Sequence, residues 1–132
     1  MPGPFLAVRN TTRDTTVAGR VASAGTFWLS FLGLMGRASI DPYEGLWMPG
    51  VTSIHMFFMR FPIDCAFLGS EAPDGTRPVI AVRQRLPAWI GLVWTVRGAR
   101  GVLELAPGTL ERSGTQVGDR LAFAAAAVRP LG

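Results

Sequence analysis

The sequence has no lysine, one histidine, one cysteine and one tyrosine in 132 residues. Each shortage closes off a class of function. Cys65 has no intrachain partner for a disulfide, so the hydrophobic core must hold the fold unaided. Cys65 and His55 together fall short of the three or four ligands of a zinc site, and no metal or other cofactor is expected. Basic charge comes from arginine alone, 13 residues against 9 acids, for a formal net charge of +4. Arginine pairs with carboxylates and packs its planar face, so much of it is expected to be structural. No basic cluster is longer than the pair Arg83 and Arg85, which speaks against nucleic acid as a partner. Long hydrophobic runs are missing too. The most apolar windows, residues 27–35 and 86–96, are shorter than the roughly 20 residues of a membrane helix. The N-terminal stretch lacks the apolar segment of a secretory signal and is interrupted by Arg9 and Arg13. These absences give the expectation of a soluble, cytoplasmic protein with no membrane partner.

What is present points to a folded domain. The hydrophobic fraction is 48% and the charged fraction 17%, the balance of a globular chain. The length suits one domain over residues 1–132, without repeat or linker. Gly 16 and Pro 10 are high for a helical bundle and suit a chain with many turns. Short apolar stretches are separated by turn signals such as Asp41-Pro42, Pro49-Gly50, Pro73-Asp74-Gly75, Pro107-Gly108 and Val117-Gly118-Asp119. Strands are expected at residues 5–9, 17–24, 45–48, 53–61, 63–69, 78–85, 101–105 and 120–128.

The period changes at residues 26–35. Trp28, Phe31, Leu32 and Met35 recur at helical spacing, with Thr26 as N-cap and Gly36 as stop. A second short helix is expected at residues 109–113, ended by Gly114. Together these elements predict an α+β, mostly β domain: a small, highly twisted β-barrel with one or two short helices.

Residues 53–68 hold the histidine, the cysteine and half of the phenylalanines, and the apolar run is broken by His55, Arg60 and Asp64. Cys65 lies in an apolar strand, the usual setting of an inert thiol. On one regular strand His55 and Arg60 face opposite sides. Arg60 and Asp64 flank Pro62, and pairing across that corner is the expectation for charges in an apolar stretch. The functional counterpart is an anion or carboxylate site in which Arg60 is a bidentate donor. Glu104, between Leu103 and Leu105, is expected to face solvent or a polar cavity. Two close carboxylates, Asp64 and Glu104, would have divergent pKa values suited to acid–base chemistry. Trp89 and Trp94 fall in an apolar, irregular segment, a candidate exposed patch for a protein partner or a second copy in a homodimer.

Three segments resemble a known family, the uncharacterised bacterial and archaeal family called domain of unknown function 192. The first is residues 27–37, ending Gly33-Leu34-Met35-Gly36-Arg37. The second is residues 53–64, ending Met59-Arg60-Phe61-Pro62-Ile63-Asp64. The third is Gly98-Ala99 and, two residues on, Val102-Leu103-Glu104-Leu105, followed by Gly108-Thr109 and Val117-Gly118-Asp119-Arg120. Cys65 replaces an expected aliphatic residue, and Ala106-Pro107 inverts the usual Pro-Ala. The resemblance implies a compact, mostly β domain and no particular activity. The reading is therefore a non-enzymatic binding or interaction module for a small polar ligand or a protein. Its site is a polar one near the Pro62 corner, built from Arg60, Asp64, Glu104 and His55. The alternative is a small hydrolase-like enzyme using the paired carboxylates.

Overall fold

The structure is a computed structural model that describes residues 5–23, 38–56 and 59–126. Nine strands and one helix are present among the described residues: β1 (Phe5–Asn10), β2 (Thr15–Ser23), β3 (Glu44–Pro49), β4 (Ile54–His55), β5 (Ile63–Leu68), β6 (Thr76–Leu86), β7 (Leu92–Val93), β8 (Gly101–Leu105), α1 (Thr109–Ser113) and β9 (Arg120–Ala125). Seven of the strands close a barrel in the order β1-β2-β3-β8-β5-β6-β9, and β4 pairs with β7 apart from it. The mostly β barrel is thus the observed architecture. Closure removes the sheet edges that an open sheet of this length would expose.

All barrel pairs are antiparallel except β2 and β3, which run parallel with Val21 opposite Gly45. A parallel pair needs a crossover rather than a hairpin. In sequence that crossover contains residues 26–35, and the helix expected there lies outside the described residues.

Two apolar cores share the sheet. The lumen is filled from every barrel strand, by Val8, Val21, Trp47, Leu68, Val79, Leu103, Leu105 and Leu121 among others. Trp47 reaches Phe123 on β9, ring centroids 5.0 Å apart, and the Arg77 guanidinium lies over the indole, 5.2 Å from its centroid. Gly101 makes room for it, because a Cβ there would collide with the indole. The opposite face of β3, β8 and β5 carries the second core, including Leu46, Met48, Cys65, Phe67 and Val102. This outer core is covered by a flap whose described parts, residues 50–56, 59–61 and 86–100, contribute Ile54, Met56, Met59, Phe61 and Val93. β5 and β8 are therefore buried along their whole length on both faces. That explains why their sequences read as continuous apolar runs rather than alternating ones.

The flap corrects one expectation. Residues 53–61 do not form a long strand, since β4 stops at His55. The reason lies in where the Met56 backbone spends its hydrogen bonds. Its N–H donates to the Gly91 carbonyl, and its own carbonyl accepts from the N–H groups of Trp89 and Met59.

Candidate functional site

Asp64 is fully buried, on the lumen side of β5 by alternation with Ala66 and Leu68. Its Oδ1 accepts the Arg85 N–H at 2.9 Å, and its Oδ2 accepts the Leu110 N–H at 2.9 Å. Both bonds have a local cause. The β5–β6 register slips between Ile63 and Cys65, so Gln84 and Arg85 together oppose Asp64 in a β-bulge. Arg85 takes a left-handed backbone there, φ 49, which leaves its N–H out of the ladder. Leu110 lies in the first turn of α1, whose N-cap is Gly108 and has no side chain to cap with. Asp64 supplies from a distant strand the acceptor that Gly108 lacks.

Arg60 is exposed at the bend before Pro62 and forms no ion pair with Asp64 among the described residues. The corner pairing expected from the sequence is therefore not made. Asp64 has taken backbone amides instead, which a bulge and a helix start provide at closer quarters. His55 belongs to β4 and pairs through its backbone with Leu92. Arg60 and His55 both lie on the flap, whereas Asp64 lies on the far side of the sheet.

Glu104 is on the flap side of β8, between Leu46 on β3 and Cys65 on β5. It is 5% exposed, and its Oε2 has no hydrogen-bond partner. It does not face solvent, one of the two settings expected from alternation, because the flap covers that face. Burial among apolar neighbours pushes its carboxyl up to about 7. Burial, with the Glu104 carboxylate next in weight, pushes the Cys65 thiol up to about 12. A thiol held protonated this firmly is packing material at neutral pH. Because Asp64 and Glu104 face opposite sides of one sheet, they do not form the carboxylate pair that the hydrolase alternative requires.

A third buried acid was missed as a site. Asp119 accepts hydrogen bonds from Asn10 Nδ2 at 2.9 Å, Arg13 Nε at 3.1 Å and the Gln116 N–H at 3.1 Å. Burial works to raise its pKa, but the Arg13 and Asn10 donors and the Gln116 amide outweigh it, and the net shift is downward. Asn10 Nδ2 also donates to Thr115 Oγ1, and Asn10 Oδ1 accepts the Arg13 backbone N–H. The only sequence signal was a pair of polar turns, 10–16 and 117–119, with nothing to show that they meet.

The flap carries the most unusual surface among the described residues. Trp89 is 51% exposed, Ile90 79%, Leu92 48% and Trp94 78%. Along the flap edge Gly91 and Val93 point inward while Leu92 and Trp94 point outward. Outward positions of a half-buried strand are normally polar. The loop is not loose. Trp89 N–H donates to the Met56 carbonyl, Gly91 N–H to Pro87, and Val96 N–H to Thr52.

The sequence model of DUF192, described as "Uncharacterized ACR", matches residues 8–123. The chain belongs to the DUF192 family. One relative, a UPF0127 protein of Thermococcus sibiricus, is 32% identical over 116 residues, covering 85% of this chain and 71% of the relative. Two crystal structures share the fold. One is a putative transcription regulator from Sinorhizobium meliloti 1021, with TM-score 0.68 and 22% identity over 91% of this chain and 92% of the other. The other is a protein of unknown function from Novosphingobium aromaticivorans, with TM-score 0.66 and 20% identity over 89% and 82%. Likeness at that identity is a likeness of fold alone. Among the described residues no helix is long and apolar enough to cross a membrane.

Proposed function

We propose that the protein is a non-enzymatic binding module that makes its contact through the flap, with Arg60 as a charged contact beside the apolar loop. The observation that carries this reading is the set of four exposed apolar side chains, Trp89, Ile90, Leu92 and Trp94, on a loop fixed by backbone hydrogen bonds. A contiguous apolar patch on a rigid support marks an interaction site, and order in advance of binding lowers its entropic cost. The polar-corner version of the site has less behind it. Asp64 is committed to two backbone amides, and Glu104 lies beneath the flap on the other face of the sheet. The hydrolase alternative lacks its carboxylate pair for the same reason.

The test is site-specific photo-crosslinking in cells that express the protein. A photoreactive residue at position 94 is expected to give discrete adducts, and one at Glu71, on the β5–β6 turn, none. Equal yields at the two positions, or none at either, would refute the flap as a contact surface.

A further inference from the structure

The flap differs from the rest of the molecule in how its arginines are used. Elsewhere every described arginine has a partner. Arg13 binds Asp119, Arg85 reaches Glu111, Arg77 donates to the Gly69 carbonyl, and Arg112 donates to the Thr16 and Val17 carbonyls. The remaining ones pair with Asp14, Thr76, the Val82 carbonyl or the Phe5 ring. On the flap, Arg60, Arg97 and Arg100 are exposed, and among the described residues their side chains have neither a hydrogen bond nor an ion pair. Residues 50–61 and 86–100 contain no aspartate or glutamate at all. The one carboxylate beneath them, Glu104, is buried.

This charge pattern selects among occupants. In a two-fold homodimer the same patch meets itself. The arginines of both copies would then be brought into one interface with no flap acid to offset them, which disfavours a second copy. A partner rich in negative charge with an apolar layer beneath it matches both features. Tryptophan prefers the boundary between headgroups and acyl chains, where its ring is buried and its N–H is wet. Arginine beside it reaches phosphate oxygens with a planar, multidentate donor set. Surface binding of this kind scales with inserted apolar area and with attraction to anionic lipid, and needs no membrane-crossing segment.

Resting on the flap as the contact surface, we propose that its partner is an anionic lipid surface. Trp94, Ile90 and Trp89 enter the headgroup region, and Arg60, Arg97 and Arg100 contact phosphates.

The experiment is co-sedimentation of the full chain with phosphatidylglycerol-containing vesicles and with pure phosphatidylcholine vesicles. Binding is expected only to the former, falling several-fold as salt rises from 0.05 to about 0.2 M. Trp94→Ser and Arg97→Gln are each expected to weaken it several-fold. Arg9→Gln, which removes the same charge from β1, is expected to bind as the wild type does. Urea midpoints confirm that each variant is folded. No binding to anionic vesicles overturns the proposal, and so does equal weakening by Arg9→Gln, which would mean adsorption by net charge. A concentration-dependent dimer abolished by Trp94→Ser would assign the patch to a second copy and overturn it as well. A discrete protein adduct at position 94 without vesicle binding overturns the lipid assignment but leaves the contact-surface reading standing. Absence of any adduct at position 94 removes both.

Discussion

The two faces of the barrel sheet treat polar and apolar groups in opposite ways. On the lumen side and at the barrel end, buried polar groups are satisfied. Asp64 holds two amides, and Asp119 sits in a network with Asn10, Arg13 and Gln116. On the flap side a buried carboxylate stands unpartnered at Oε2, three exposed arginines have no acid, and large apolar side chains face outward. Satisfied groups fix a fold, whereas unsatisfied ones are found where function is placed at some expense of stability. The satisfied buried polar groups lie on the lumen side, and the proposed contact surface lies on the flap.

Its strongest test is the removal of Asp64. Asp64→Ala leaves the buried Leu110 N–H and the part-buried Arg85 N–H without an acceptor, at about 1–3 kcal/mol each and less for the second. Urea denaturation is expected to show a loss of about 2–5 kcal/mol, with the bulge and α1 affected together. A loss under about 1 kcal/mol would mean that those amides find other acceptors.

Glu104 gives the next largest effect, with the opposite sign. Its folded pKa is raised, so the protein binds its proton more tightly than the unfolded chain does. The stability this contributes is complete below the ordinary glutamate value of 4.5 and is lost as pH rises through about 7. Glu104→Gln is therefore expected to match the wild type near pH 4 and to be more stable by on the order of 1–3 kcal/mol at pH 8. Equal pH profiles for the two proteins would show that the carboxylate is solvated after all.

Asp119 titrates the other way. Its folded pKa is lowered, so its contribution is present above the unfolded value of 3.8 and is lost as pH falls through the folded one. Asp119→Asn is expected to cost about 1–2 kcal/mol at pH 7. The gap to the wild type should close in acid, as followed by thermal melts across pH.

The sequence made the local half of the fold legible and left the long-range half hidden. Turn chemistry placed most strands to within a few residues. Pro107-Gly108 before α1 and Gly114 after it bound the short helix as expected, with Gly114 in the left-handed region at φ 73. The barrel as a class followed from strand count and spacing. Its closure did not, because it depends on β9 pairing with β1 and β6, and no local pattern encodes that.

Residues 53–61 were misread for a related reason. An apolar run with strand-like residues satisfies the strand pattern, yet here Ile54, Met56, Met59 and Phe61 pack into the outer core, and the backbone of Met56 pairs with residues 89–91. Asp64 was identified as a charged exception, but its partners are 21 and 46 residues away. The Asn10–Asp119 bond spans 109 residues, beyond any motif. The exposed segment of Trp89 and Trp94 was legible, because an aromatic stretch interrupted by Pro87 and Gly91 fits neither a core strand nor a helix.

Ile90 and Trp94, the two most exposed large apolar side chains of the flap, should bear little of the fold's stability. The deciding measurement is the unfolding free energy of the double variant Ile90→Ser, Trp94→Ser. The account predicts a value within about 0.5 kcal/mol of the wild type, the range of ordinary surface substitutions. A loss of about 3 kcal/mol or more, the cost of emptying a packed core site, would place both residues in the core and contradict it.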